Sequence, residues 1–75
     1  MEEGTFAVGS EPNNLAFDGT SIWVTNFLDN TVTQLRATDG LRLGTFPTGH
    51  SPVGVAFDGA NIWVSNHNDD TVSKL

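Results

Sequence analysis

The sequence predicts an all-β chain, and three observations predict it. Val, Ile, Leu, Thr and seven aromatic residues (two Trp, five Phe) supply side chains that suit a pleated sheet. No stretch carries the three- and four-residue apolar spacing of an amphipathic helix, and eight Gly and three Pro punctuate the 75 residues. Asp-Gly pairs at Asp18-Gly19, Asp39-Gly40 and Asp58-Gly59 mark tight turns, since both residue types tolerate positive φ.

Between these marks the strands follow in order. Asn14–Phe17 reads as a first strand that ends at the Asp18-Gly19 turn. Ile22–Thr25 is a second; its apolar residues do not alternate with polar ones, which predicts burial on both faces. Asn26–Asn30 is a polar corner, and Thr31–Arg36 a third strand with Val32 and Leu35 as its apolar content. The Asp39-Gly40 turn then leads into a fourth, Arg42–Pro47.

The chain aligns with itself at an offset of 40. Residues 4–35 match residues 44–75 without a gap, and 17 of the 32 pairs are identical. GTF at Gly4–Phe6 returns at Gly44–Phe46, Pro12 at Pro52, AFDG at Ala16–Gly19 as Ala56–Gly59, and IWV at Ile22–Val24 as Ile62–Val64. Asn26, Asp29, Thr31-Val32 and Leu35 return at Asn66, Asp69, Thr71-Val72 and Leu75. A period near 40 with four short antiparallel strands describes a blade of a β-propeller.

The pattern P-x-x-(L/V)-A-F-D-G-x-x-I-W-V-(T/S)-N-x-x-(D/N)-(N/D)-T-V resembles the YVTN and NHL propeller repeats, which also occur in virginiamycin B lyase-like and streptogramin lyase-like proteins. The resemblance covers the chain apart from Met1–Glu3 and implies a fold more than an activity, because enzymes, binders and surface proteins share such blades.

The phase of the strands sets the expected organisation. Residues 1–9 carry an outer-strand sequence, 10–49 form blade 1, and 50–75 form blade 2 without its outer strand. Gly4, Thr5, Phe6, Ala7 and Val8 are therefore expected to latch onto the last blade of a neighbouring copy, against Thr71, Val72 and Leu75. Phe17, Ile22, Trp23, Val24, Phe57, Ile62, Trp63 and Val64 are expected to pack blade on blade. Two-blade chains build rings of even blade number. Six blades as a homotrimer is the first expectation, since NHL-type rings commonly have six, and eight as a homotetramer the second. The start at Met-Glu-Glu and the stop at Leu75 read as cut points in a longer array, natural or engineered.

Length and charge narrow the partners. Small domains need staples, and without cysteine neither disulfides nor Cys-based zinc sites are available, which leaves association as the staple. Nine acidic residues against Arg36, Arg42 and Lys74 give a net charge of −6, which disfavours nucleic acid and anionic membranes as partners. MEEGTFAVGS has neither a basic segment nor an apolar run, so no signal peptide is expected, and the compartment stays open.

Site chemistry is sparse. Glu11, Asp29, His50, His67, Asp69 and Asp70 fall in loops expected on one face of the ring, where oxygen-rich clusters can hold Ca²⁺ or Mg²⁺. The competing reading is turn chemistry, in which Asp and Asn accept backbone hydrogen bonds at tight corners. His50 and His67 break the repeat, standing where Ser10 and Phe27 stand in the first copy. Asp18 and Asp58 read as turn formers rather than acids. No catalytic triad, phosphate-binding glycine loop or EF-hand loop is present, and no cofactor is expected. The leading expectation is thus a self-assembling structural or interaction scaffold without catalytic activity. A ring that binds a small molecule, sugar or cation at its top face or central channel is the alternative, and a streptogramin lyase-like enzyme the third.

Overall fold

The computed structural model describes residues 4–75, and the chain is all-β. The first sheet holds β1 (Pro12–Phe17), β2 (Ser21–Asn26), β3 (Thr31–Arg36) and β4 (Arg42–Pro47) in sequential antiparallel order. The second holds β5 (Pro52–Phe57), β6 (Ile62–Asn66) and β7 (Thr71–Lys74) in the same order. A single 3₁₀ turn at His67–Asp69 is the one helical element among the described residues. No helix among them is long and apolar enough to cross a membrane.

The turns form where the sequence places them. Gly19 and Gly59 take φ of 103° and 102°, a region that penalises any side chain. In each of these turns the Asp closes the loop twice. Its backbone N–H donates to the carbonyl of Ser21 or Asn61, while its Oδ1 accepts the N–H groups of Thr20 and Ser21, or of Ala60 and Asn61.

The first strand of each sheet begins two residues before the expected Asn14, at Pro12 and Pro52, with a register shift between Pro12 and Asn14 and between Pro52 and Gly54. A hydroxyl makes this possible. Thr25 Oγ1 accepts the Asn14 N–H at 3.1 Å, and Ser65 Oγ accepts the Gly54 N–H at 2.9 Å, so the irregular step leaves no orphaned donor there.

The two sheets meet along β1, β2 and β5, and among the described residues the outer strands β3 and β4 have no comparable approach to the second sheet. The core is small: Val24, Val32, Leu35, Ile62 and Val64 are its buried apolar residues. Buried polar residues are as prominent, namely Ser21, Thr25, Asn26, Thr33, Ser51 and Asn66. These carry the specificity of the fold, because a buried polar group is tolerated only in a satisfied geometry.

The residues expected to pack blade on blade divide. Val24, Ile62 and Val64 are buried, and Ile22 and Trp23 partly so, while Phe17, Phe57 and Trp63 are exposed on the single chain. Residues 4–8 belong to no strand of the chain, and Met1–Glu3 of the expected latch lie outside the described residues.

Candidate functional site

Two asparagines organise the loops. Asn26, fully buried at the end of β2, accepts the Gly9 N–H on Oδ1 at 3.1 Å and donates from Nδ2 to Thr31 Oγ1 and Thr33 Oγ1. Asn66 repeats this with the Gly49 N–H at 3.0 Å, Thr71 Oγ1 and Ser73 Oγ. Gly9 and Gly49 leave no room for a Cβ, which would come within 2.6 Å of Asn26 and 2.7 Å of Asn66.

The acidic loop residues serve the same end. Asp29 Oδ2 accepts the Ser10 N–H at 2.7 Å, and Asp69 Oδ2 accepts the His50 N–H at 2.9 Å. Asp69 also meets the His50 ring, Nδ1 to Oδ1 at 2.9 Å. These bonds, the His50 amide first and its ring second, hold the Asp69 carboxyl below its ordinary range. Glu11 acts through its backbone, its carbonyl accepting the Phe27 N–H, and the Ser51 carbonyl accepts the His67 N–H in the same way. His67 and Asp70 are exposed beside β7. Among the described residues no three of His, Asp and Glu converge into a set able to hold a metal ion.

The junction between the sheets runs through Asn30. Its carbonyl accepts the Thr48 N–H at 3.0 Å, and its Oδ1 accepts the Ser51 N–H at 2.8 Å. Asn30 and Ser51 both hold positive φ, 56° and 57°. Ser51 is 8% exposed, and Pro52 beside it is buried.

Among the described residues each outer edge repeats one half of this junction without the other. Glu11 and Pro12, the counterparts of Ser51 and Pro52, are exposed. Asp70, the counterpart of Asn30, is exposed as well, with φ 54°. Val32 is fully buried under β4, whereas Val72 at the equivalent place in β7 is 63% exposed. The ring of Trp23 lies 5.8 Å from that of Phe46 on β4, while the exposed Trp63 has the Lys74 ammonium 5.5 Å from its ring centre. Two open hollows that share Val72 are lined by Trp63, Val64 and Ala56, and by His67, Asp70 and Thr71.

Sequence reasoning singled out the edge residues Thr71, Val72 and Leu75 and missed the clasp at Asn30 and the buried Asn26 and Asn66. The recurring Asn after the IWV triplet was the available signal for the latter. Comparison with family profiles and with curated proteins gives no match to this chain.

Proposed function

We propose that the chain is a self-assembling propeller module of the YVTN/NHL type, a structural or interaction scaffold completed by other copies of itself and not a catalyst. One observation carries this reading: surfaces buried within the chain, Ser51 and Pro52 at the junction and Val32 under β4, recur uncovered at its two edges. Ser51, Pro52 and Val32 are buried, and Glu11, Pro12 and Val72 are exposed. The two uncovered surfaces differ, one formed around β1 and the other around β6 and β7. Their association is head to tail, a heterologous contact that generates a ring when its rotation closes. An open β7 would otherwise present unpaired backbone groups beside exposed Trp63 and Val72, a combination that favours uncontrolled strand pairing.

A homotrimer of six blades is the assembly of first choice, with a homotetramer of eight as the second. Size exclusion with light scattering tests this directly. The expected mass is three times 8.0 kDa for the six-bladed ring or four times 8.0 kDa for the eight-bladed one. A species of 8.0 kDa that persists across micromolar concentrations overturns the proposal. Because only the assembled form buries both edges, the unfolding midpoint is also expected to rise with protein concentration.

A further inference from the structure

Resting on the self-assembly proposed above, we infer that residues 4–7 of a second copy add to β7 as an antiparallel fourth strand. Phe6 then lies opposite Val72 with its ring against Trp63. The register is a transfer of what the first sheet already does. Val32 on β3 pairs with Phe46 on β4, Thr33 pairs with Thr45, and the Phe46 ring leans on Trp23. Displacing both partners by the repeat of 40 residues puts Phe6 against Val72, Thr5 against Ser73, and the Phe6 ring against Trp63. Among the described residues β7 pairs with β6 alone, so its outer backbone groups face the position this segment would take.

Both halves of the contact are already shaped for it. Residues 9–11 attach to the first sheet as residues 49–51 attach to the second, through Gly9 on Asn26, Ser10 on Asp29, and the Glu11 carbonyl on the Phe27 N–H. The Phe6 ring folds back over Gly4 as the Phe46 ring does over Gly44. Glu11 holds φ of 53° and Asp70 of 54°, the conformations of Ser51 and Asn30 at the junction within the chain. The second copy is thus clasped twice more, with its Glu11 N–H on the Asp70 carboxylate and its Val8 N–H on the Asp70 carbonyl. These turn conformations exist before association, while residues 6–8 also carry contacts on their own chain, the Phe6 ring against Gly40 and the Ala7 carbonyl accepting from Arg42. The chain's own residues 9–11 are fastened to its first sheet, which is why the strand comes from another copy.

The cysteine-free sequence allows a direct test. Chains carrying Thr5→Cys and chains carrying Ser73→Cys are mixed and treated with a short thiol-specific cross-linker, beside solution-mass measurements on the same samples. The expected product joins position 5 of one chain to position 73 of another, and Phe6→Asp in the unlinked protein is expected to raise the concentration needed for assembly roughly tenfold or more. Full assembly that yields only like-with-like links, or none, and tolerates Phe6→Asp overturns the strand exchange and leaves self-assembly standing through some other surface. A double variant that links within a single 8.0 kDa chain overturns the exchange too. Unmutated protein that stays at 8.0 kDa removes self-assembly, and this inference with it.

Discussion

The indole Nε1 of Trp23 donates to Asp18 Oδ2 at 2.9 Å, and forty residues on Trp63 does the same to Asp58 Oδ2 at 2.6 Å. One carboxylate thus serves two purposes, one oxygen closing the Asp-Gly turn and the other fixing the rotamer of a tryptophan on the next strand. The recurrence of Asp and Trp five residues apart has its physical reason here. A shorter side chain does not span turn and indole together, and an amide offers only one acceptor oxygen.

This arrangement fixes an acid dependence. Donation from Trp23 and then from the Thr20 and Ser21 amides lowers the Asp18 pKa to about 2. The Asn61 amide, Trp63 and the Ala60 amide lower that of Asp58 to about 2. A carboxyl depressed in the folded state contributes stability that is complete above its unfolded value, near 3.8, and lost as pH falls through the folded one. The thermal midpoint is expected to drop between about pH 4 and about pH 2. The double variant Asp18→Asn, Asp58→Asn is expected to start lower at neutral pH and to change less across that window. An unchanged slope in the variant would assign the acid dependence elsewhere, with Asp39 beside Arg36 the next candidate.

Removal of a buried hub costs more than its hydrogen bonds alone. Asn26→Ala orphans the Gly9 N–H and withdraws the donor shared by Thr31 and Thr33 in a fully buried position. A loss of about 2–4 kcal/mol is expected from denaturant unfolding. A loss below about 0.5 kcal/mol would mean that water replaces these contacts.

The two tryptophans, identical in sequence context, are expected to differ in weight. Trp23→Ala removes a half-buried ring packed on Phe46 and is expected to cost about 2–3 kcal/mol. Trp63→Ala is expected to cost about 1–2 kcal/mol in dilute protein, where the ring is 37% exposed but its Nε1 still holds Asp58, and to exceed that once assembly covers it. Unfolding of both variants at two protein concentrations checks this, and equal losses in dilute protein would contradict it.

A paired comparison separates the clasp within the chain from its counterpart at the edge. Asn30→Ala removes the acceptor for the Ser51 N–H and puts a poorer residue at φ of 56°, for an expected loss of about 1–2 kcal/mol at any concentration. Asp70 meets no such partner among the described residues of the single chain, so the effect of Asp70→Ala is expected mainly on the concentration at which copies associate. Sedimentation of the Asp70 variant alongside denaturant unfolding of the Asn30 variant reads the two apart. Unimpaired association of Asp70→Ala would show that this clasp contributes nothing between copies.

The strand order, the turns and the third and fourth strands Thr31–Arg36 and Arg42–Pro47 were legible in the sequence, because Asp-Gly turn chemistry acts over a few residues. The starts of β1 and β5 at Pro12 and Pro52 were not, since they depend on hydroxyls of the neighbouring strand, Thr25 and Ser65, that reach across an irregular step. The role of Asp29 and Asp69 as acceptors for loop amides was one of two open readings, and hydrogen bonds between residues 19 positions apart show it in use.

By itself the sequence determined that this chain is strand-rich, where it turns, and that its second half repeats its first, all consequences of local backbone preference and residue identity. The tertiary structure decided that the two copies are not equivalent. Burial depends on which surface lies opposite, so β4 covers Val32 and Trp23 while the same residue types at Val72 and Trp63 stand open. That asymmetry, invisible to an alignment of one half on the other, is what gives the molecule two different edges.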